Sequence, residues 1–260
     1  MKKLILVIIV ILLASIFLSA DVYVKRMEKM SAFELMGKTN PETVEIKEMW
    51  LAENRFAQLS KTVGIILDYE KEKLYIIIHP EKIYFEFPTD INREKLFAML
   101  PPKAVEVISS VEITGVKVNI GGPKKKIANW NCDGAEMEMT FMIPAFGIMP
   151  KYKIKFWTTK DVSFDYKKYS KAAEDFFVKY ILGIIKIDEA SEKEFEKMEA
   201  VDGFQVGAEV TITIFGSVIN IEMQVLEIEE RPAPAGVYSV PKGYTKKTID
   251  AALGIQGYLM

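Results

Sequence analysis

The sequence predicts a single α+β domain, built on one antiparallel sheet that carries helices. Two β-hairpin patterns, at residues 136–157 and 210–223, place apolar side chains at alternate positions. Helical periodicity lies between strand patterns, and no segment rich in Pro, Gly or Ser divides the chain. The 260 residues are 50% hydrophobic and 27% charged, which excludes disordered and collagenous chains.

The first twenty residues differ from the rest of the chain. Lys2 and Lys3 precede residues 4–18, a run without a charged side chain. As a helix this run would span about 22 Å, short of a hydrocarbon core of about 30 Å. Ser19-Ala20 supplies the small residue that a signal peptidase needs. We expect residues 1–20 to be a signal peptide, or an anchor if they are not cleaved, and the protein to be exported to the periplasm or another extracytoplasmic space.

The remaining composition excludes several functional classes. A net charge of −2 with scattered signs does not favour binding of nucleic acid, which requires a basic stripe. One cysteine and one histidine allow neither an intramolecular disulfide nor a Cys/His zinc cluster. We therefore expect no metal and no cofactor. Residues 21–247 are predicted to form one domain, followed by a C-terminal tail at 248–260.

The sequence of the hairpin at residues 210–223 predicts the type of its turn. Strands at 210–215 and 218–223 flank Gly216-Ser217, a type II′ signature. The resulting register pairs the isoleucines of one face: Ile214 with Ile219, and Ile212 with Ile221. We expect this face to belong to the core. The adjacent apolar residues Val225 and Leu226 interrupt the alternation and predict a bulge.

A second hairpin is predicted to pair Met142 with Lys151. Glu136 and Glu138 then face lysines across the hairpin. This favours a solvated face over a pair of catalytic carboxylates. The connection at 143–150 contains no charged side chain, although loops between strands are usually polar. Such a loop either folds onto the core or is covered by a ligand, a partner or a membrane surface.

The rest of the pattern gives three strands and three helices. Strands are predicted at 63–69, 74–79 and 82–87, the middle one covered on both faces. Helices are predicted at 91–100, 165–182 and 188–201, and Pro101-Pro102 is predicted to end the first. The second helix carries an aromatic stripe that could be core or the wall of a ligand site: Tyr166, Tyr169, Ala173, Phe176, Phe177 and Tyr180.

A series of short motifs resembles a known fold family. The motifs are Phe33-Glu34-Leu35-Met36-Gly37, Met49-Trp50, Asp68, Lys73-Leu74-Tyr75-Ile76-Ile77, Gly203-Phe204-Gln205-Val206 and Val240-Pro241-Lys242-Gly243-Tyr244. In this order the chain resembles the LolA-like lipoprotein-carrier fold and, more closely, an uncharacterised exported bacterial family grouped with it. The resemblance covers residues 21–247. It implies a half-barrel, with a short helix and a helix pair covering a hydrophobic concave side, and a role in carrying acyl chains or lipoproteins.

The residues typical of catalysis do not form a convergent set. His79 lies in a turn with Pro80, where a general base is less expected than a topological role. Cys132 is expected to be a small buried thiol. Gly121-Gly122-Pro123-Lys124-Lys125-Lys126 lacks the spacing of a phosphate loop and is predicted to be a basic hairpin turn. We expect the protein not to be an enzyme.

These observations favour an exported, non-enzymatic protein that binds a lipid-like or lipoprotein acyl ligand in a half-barrel cavity. The alternative is an envelope structural or interaction protein whose core is filled by its own side chains. The residues predicted at the cavity mouth or wall are Phe146, Ile148, Met149, Tyr166, Tyr169, Phe176, Tyr180, Trp50 and Tyr75. The expected partners are a lipid or lipoprotein acyl chain, with contact to a membrane surface or an envelope protein. The oligomeric state is left open.

Overall fold

A computed structural model describes residues 21–169 and 183–248 of the chain. In these ranges the main element is a curved sheet of thirteen strands that does not close. Its strand order is β12-β9-β10-β11-β13-β14-β1-β4-β5-β6-β7-β8-β15. Neighbouring strands are antiparallel except the two edge pairs, β12 with β9 and β15 with β8. Strands β2 and β3 form a separate hairpin.

The strands have the following bounds: β1 Asp21–Met30, β2 Phe33–Leu35, β3 Lys38–Asn40, β4 Thr43–Leu51, β5 Arg55–Leu59, β6 Val63–Asp68, β7 Lys73–Ile78, β8 Ile83–Pro88, β9 Glu112–Ile127, β10 Trp130–Met142, β11 Lys151–Thr159, β12 Lys186–Ile187, β13 Phe204–Ile214, β14 Ser217–Arg231 and β15 Thr245–Lys246. The labelled helices are α1 Arg93–Met99, α2 Pro102–Ser110 and α3 Glu189–Glu196. Short 3-10 helices occupy Pro144–Phe146 and Lys197–Ala200.

The predicted strands β6, β7 and β8 are confirmed, and β7 is covered on both faces. Leu74 and Ile77, three residues apart on β7, point to opposite faces and are both buried. They belong to two different apolar clusters. This burial on both faces explains why β7 is almost continuously apolar.

The helices begin at recognisable caps. The Asn92 side chain accepts a hydrogen bond from the Lys95 N–H at the start of α1. Pro101-Pro102 is predicted to end the first helix, and it does end α1. The same pair also begins α2, a helix that the sequence analysis does not predict. Proline is favourable at a first helical position because it has no N–H to leave unpaired. Asp188 caps α3, whose helical course continues into the second 3-10 helix.

Helix α3 packs along strand β9 near the edge of the sheet. The Ser191 hydroxyl accepts a hydrogen bond from the Val116 N–H at 3.2 Å, and the Glu194 carboxylate accepts one from the Val118 N–H at 3.0 Å. These side chains satisfy backbone donors of β9 beyond its two-residue pairing with β12. Helix α3 thus covers an edge that would otherwise expose unpaired backbone groups.

The β13–β14 hairpin forms, but its predicted register is wrong by two residues. Ile212, not Ile214, lies opposite Ile219. The turn is Phe215-Gly216, with φ of +51° and +78°, rather than Gly216-Ser217. A shift of two residues keeps every side chain on its predicted face, because side chains alternate with period two.

The burial expected for this hairpin is also wrong. Its isoleucines are half-buried rather than part of the core: Ile212, Ile214, Ile219 and Ile221. No described element packs onto them closely enough to bury them fully. The predicted bulge is confirmed, because Lys25 lies opposite Glu227 while Arg26 lies opposite Val225, and Leu226 remains exposed.

The β10–β11 hairpin shows the same two-residue shift. Thr140, not Met142, lies opposite Lys151. The reason is that the chain stays paired further into the loop, where Ile143 and Ile148 form an isolated bridge. The solvated interpretation of the glutamates is confirmed, because Glu138 forms an ion pair with Lys153 at 3.1 Å on the exposed face.

The segment from Gly121 to Lys126 is not a hairpin turn, and that prediction is wrong. It lies inside β9, and the chain reverses at residues 128–129 instead. Gly122 pairs with Gly134 across the strands. A Cβ atom on Gly134 would lie 2.6 Å from the Pro123 carbonyl oxygen. The glycines therefore serve a close approach of two backbones rather than a turn.

Three apolar clusters stabilise the described residues. The helix-side cluster includes Val24, Leu51, Leu67, Leu74, Trp157 and Val206, with Leu96, Tyr166 and Tyr169 packed against it. The C-terminal cluster includes Tyr23, Trp50, Ile66, Ile77 and Tyr238, with Val237 and Tyr244 packed against it. The α3 cluster includes Ile113, Val118, Met137 and Phe156, with Phe195 and Met198 packed against it. On β1 and β4–β8 the first two clusters lie on opposite faces of the sheet.

Candidate ligand-binding surface

The connection between β10 and β11 is an exposed apolar loop, residues 143–150. It holds a 3-10 helix and Gly147 at φ +63°, and the Ile143 N–H donates to the Ile148 carbonyl at 3.0 Å. Phe146 is 63% exposed and Met149 59% exposed, while Ile148 is half-buried. The loop is therefore ordered by its backbone but is not folded onto a core.

A continuous apolar face extends from this loop across four strands. Register places Met139, Tyr152, Ile212 and Ile219 side by side, and Met137, Ile154, Val210 and Ile221 in the next row. We call the half-buried members the apolar face: Tyr152, Ile154, Val210, Ile212, Ile219 and Ile221. Phe141 packs edge-on against Tyr152 with ring centroids 4.9 Å apart. Burial raises the pKa of the Tyr152 hydroxyl, as expected for a phenol in an apolar setting.

Charged side chains border the apolar face on β1 and β4. Arg26 lies opposite Val225, and Glu28 lies opposite Met223. The Lys47 ammonium donates to a Glu28 carboxylate oxygen at 2.8 Å, while the Arg26 Nη2 lies 3.9 Å from the same oxygen. Arg26 Nη2 donates to the Gln58 side-chain oxygen at 3.2 Å. Burial lowers the pKa of the Arg26 guanidinium, an effect that Glu28 opposes.

Two further apolar side chains project from turns at the same end of the sheet. Met36 and Phe215 each have φ of +51° and precede a glycine with φ of +78°. Asn, Asp and Gly are preferred at such positions, because a side chain with φ above zero is strained. Met36 is 78% exposed and Phe215 52% exposed, so neither is held there by burial. The Ser31 N–H bonds to the Asn220 carbonyl and places the β2–β3 hairpin beside β14.

The structure brings together only some of the predicted site residues. Phe146, Ile148 and Met149 share the exposed loop. Tyr166 and Tyr169 pack instead against the helix-side cluster. Trp50 and Tyr75 belong to the C-terminal cluster, on the opposite face of the sheet from the helix-side cluster. Phe176 and Tyr180, with residues 1–20 and most of the tail, lie outside the described residues.

Two open hollows lie on the surface of the described residues. The larger, of about 500 Å³, is lined mainly by charged side chains that include Lys124, Lys126 and Asp161. The smaller, of about 350 Å³, lies between Arg55 and residues 232–239. Neither adjoins the apolar face, which is a surface of the sheet rather than an enclosed cavity.

The side chains considered for catalysis, those of His79 and Cys132, contact other parts of the fold. His79 Nδ1 lies 2.9 Å from the Tyr244 hydroxyl and so ties the β7–β8 turn to the C-terminal segment. Cys132 is buried as predicted, and burial raises the pKa of its thiol. Within residues 21–169 and 183–248, no group of three or more His, Cys, Asp or Glu side chains could hold a metal ion. No helix in these ranges is long and apolar enough to cross a membrane.

Sequence reasoning missed the partial exposure of the hairpin isoleucines and the position of Arg26. Alternation on β1 was the available signal. Val22, Val24 and Arg26 occupy alternate positions, so a single cation follows two fully buried valines on one face. A charge at such a position requires hydrogen-bonding groups nearby.

Comparison with known proteins gives distant structural neighbours only. No protein family profile and no curated protein matches the chain. One solved structure, described as an outer membrane lipoprotein-sorting protein domain from Vibrio parahaemolyticus, is 6% identical with a TM-score of 0.32, over 83% of this chain and 87% of that chain. A DUF1329 family protein from Desulfovibrio piger is 7% identical with a TM-score of 0.29, over 88% and 92%.

Proposed function

We propose that this chain is an exported, non-enzymatic protein that binds a lipid-like or lipoprotein acyl group on the apolar face. The observation that carries the proposal is the continuity of this face with the exposed loop at 143–150. The proposal places the protein in the handling of lipids or lipoproteins in the cell envelope.

Hydrophobic free energy supports a bound ligand. Fully burying a large apolar side chain is worth about 1.5–3 kcal/mol relative to leaving it in water. Phe146 and Met149 are more than half exposed in a loop with no charged residue between Met142 and Lys151. An acyl chain lying on the apolar face and under the loop would recover part of that free energy without any change of fold.

A second function is favoured by the packing of the helix-side cluster. Phe164 contacts the Tyr169 ring at 5.9 Å and the Phe204 ring at 5.3 Å between centroids. The chain therefore fills this side of the sheet with its own aromatic side chains. The alternative is an envelope structural or interaction protein with a self-filled core, whose exposed loop contacts another protein or a membrane surface.

Two measurements test the proposed function. Native mass spectrometry of protein purified from its own host should show a copurified species with the mass of a lipid or fatty acid. The double variant Phe146→Ser with Ile148→Ser should take up a fluorescent fatty-acid probe less well, with a nearly unchanged melting temperature. A matched control is Val63→Ser with Leu226→Ser, because both residues are exposed apolar side chains outside the loop and the apolar face.

The results separate the two candidate functions. Reduced uptake in the loop variant and normal uptake in the control support acyl binding. No copurified species together with no uptake by the wild-type protein would exclude acyl binding and leave the interaction function. Equal uptake by all three proteins would remove the loop from the binding surface.

A further inference from the structure

One partly buried cation beside the apolar face has hydrogen-bonding capacity that the described residues do not use. The Arg26 side chain is 21% exposed, and its Nε atom is buried without a hydrogen-bond acceptor. A guanidinium carries five N–H donors and no acceptor. One of these donors reaches the Gln58 side-chain oxygen. The carboxylate of Glu28, which lies 3.9 Å from the Arg26 Nη2, does not accept a hydrogen bond from it.

Glu28 is the carboxylate in question, and Lys47 holds it. The Lys47 ammonium lies 2.8 Å from the Glu28 oxygen, whereas the Arg26 Nη2 lies 3.9 Å away. The longer distance is an ion pair without a hydrogen bond. Glu45, on the same face of β4, accepts a hydrogen bond from the Thr62 hydroxyl at 2.8 Å. Both carboxylates are therefore engaged by other groups.

An unused donor in this setting is energetically costly. A buried polar group without an acceptor loses its hydration and gains nothing in return, and the loss is greater for a charged group. Structures retain such groups where strain, function or an absent ligand explains them. The position of Arg26 on the sheet favours a ligand.

Arg26 lies at the boundary between the core and the apolar face. Val24, Arg26, Glu28 and Met30 occupy one face of β1 by alternation, and on β14 they adjoin Ile228, Val225, Met223 and Ile221 in that order. Below Arg26, Val24 is fully buried. Above Arg26 comes Glu28, which pairs with Lys47, and beyond it lie the half-buried apolar side chains of Met30, Met223 and Ile221. This part of the row runs from charged to apolar side chains, which is the order of polarity of a molecule with a charged head and an apolar tail.

We propose that Arg26 binds the anionic head group of an amphiphile whose acyl tail lies along the apolar face. This inference rests on the proposed function and adds the chemical class of the ligand. Carboxylate and phosphate oxygens both match the planar fork of a guanidinium, which holds them through two parallel hydrogen bonds. The head is therefore the carboxylate of a fatty acid or the phosphate of a phospholipid.

Competition binding tests the inference with ligands that differ only in the head group. Palmitate, hexadecanol and a palmitoyl lysophosphatidic acid should each displace a fluorescent acyl probe from the wild-type protein. Palmitate should bind at least tenfold more tightly than hexadecanol, because a charge-assisted hydrogen bond replaces a neutral one. The lysophosphatidic acid identifies the source: tighter binding than palmitate indicates a phospholipid head, and weaker binding a free fatty acid.

The variant Arg26→Gln should lose about ten- to a hundredfold in affinity for the preferred anion and little for hexadecanol. Arg26→Lys keeps the positive charge without the planar guanidinium, and its affinity for the anion should lie between those of the wild type and of Arg26→Gln. Lys25→Gln is the matched control, because it removes the neighbouring cation from the opposite face of the same strand. A ligand-induced rise in the melting temperature of the wild-type protein, larger for the anion than for the alcohol, checks the result without a variant.

The outcomes distinguish this inference from the proposed function. Wild-type protein that binds none of the three ligands overturns both. Wild-type protein that binds acid and alcohol equally leaves acyl binding in place and overturns the role of Arg26. An equal loss of anion affinity in Lys25→Gln and Arg26→Gln also overturns it, because the effect would then be one of general charge.

Discussion

Strands β6–β7 and strands β13–β14 are both rich in isoleucine but differ in burial. Ile66 and Ile77 are fully buried, whereas Ile212 and Ile219 are half-buried. Ile66 and Ile77 lie in the C-terminal cluster, against which Val237 and Tyr244 from the chain end also pack. No described segment buries the apolar face to the same degree. A pattern of alternation therefore defines a face, and a distant segment decides whether that face becomes core.

The C-terminal cluster also illustrates how much a covering segment contributes. The Arg231 guanidinium lies over the Tyr23 ring at 3.7 Å, and that of Arg55 lies over the Tyr238 ring at 4.7 Å. Cation–π contacts at partly buried sites add to apolar burial. The Arg55–Tyr238 contact holds residues 232–244 on the sheet, and no cation–π contact among the described residues holds a segment on β13–β14.

The largest expected effect is in the covered region. Ile66→Ala should lower the free energy of unfolding by about 2–5 kcal/mol, because it leaves a cavity in a fully enclosed site. Urea denaturation with a constant m-value measures the loss. A decrease below about 1 kcal/mol would mean that the C-terminal segment does not enclose this face in solution.

The same substitution on the apolar face should cost much less. Ile212→Ala should lower the free energy of unfolding by about 1 kcal/mol or less, because the side chain is half-buried before it is removed. The same urea titration provides the comparison with Ile66→Ala. Equal losses at the two sites would show that β13–β14 is covered in solution and that no open apolar face exists.

The two regions also show how much of the fold the sequence could predict. Element positions and the faces of both hairpins follow from alternation, which has period two. The registers do not follow, because each depends on a turn that accepts an unfavoured conformation: Phe215 at positive φ in one hairpin and the Ile143–Ile148 bridge in the other. The segments that cover each face come from distant parts of the chain, and among these strands only the continuous apolar run of β7 indicates its covering locally.

The candidate site likewise combines features that the sequence could predict with features that it could not. The loop at 143–150 can be recognised in the sequence because it contains no charged side chain. Of the two predicted arrangements, folded onto the core or exposed, the structure shows the exposed one. Trp50, Tyr75 and Tyr166 are predicted to line one cavity, but they pack in two clusters. Alternation along β4 and β7 directs Trp50 and Tyr75 to the face opposite the helix-side cluster, whatever their chemistry. Alternation on β1 singles out Arg26, but its neighbours on β14 follow only from the register of the two strands.

A smaller effect is expected where the helical segment at residues 166–169 contacts Asp202, just before β13. The Asp202 carboxylate accepts hydrogen bonds from the Tyr166 hydroxyl at 2.6 Å and pairs with the Lys160 ammonium at 2.8 Å. These contacts, the lysine first, lower the pKa of Asp202 well below its ordinary value. A carboxyl with a depressed folded-state pKa stabilises the fold above its unfolded pKa of about 4 and loses that contribution as the pH falls.

Asp202→Asn tests this contact through its pH dependence. Wild-type protein should be more stable than the variant at pH 7, and the difference between their urea midpoints should shrink between pH 5 and pH 3. High salt should reduce the difference at pH 7, because the carboxylate is accessible to solvent. A difference that stays constant with pH would assign the effect to the Tyr166 hydrogen bond rather than to charge.

The smallest effect, and the only one expected to be stabilising, concerns the turn at the end of the apolar face. Phe215 adopts φ of +51° while 52% exposed, so its side chain gains little burial for the strain of its backbone. Asn-Gly is the preferred pair in such a turn, and Phe215→Asn should raise stability by roughly 0.5 kcal/mol. Met36→Asn offers the same substitution in the β2–β3 turn, also at φ +51°. A higher melting temperature in both variants, with weaker retention on lipid vesicles, would indicate that the apolar residues are kept for binding and not for folding. A lower melting temperature would show instead that Phe215 packs on the hairpin and that the covered and open regions differ less than their burial suggests.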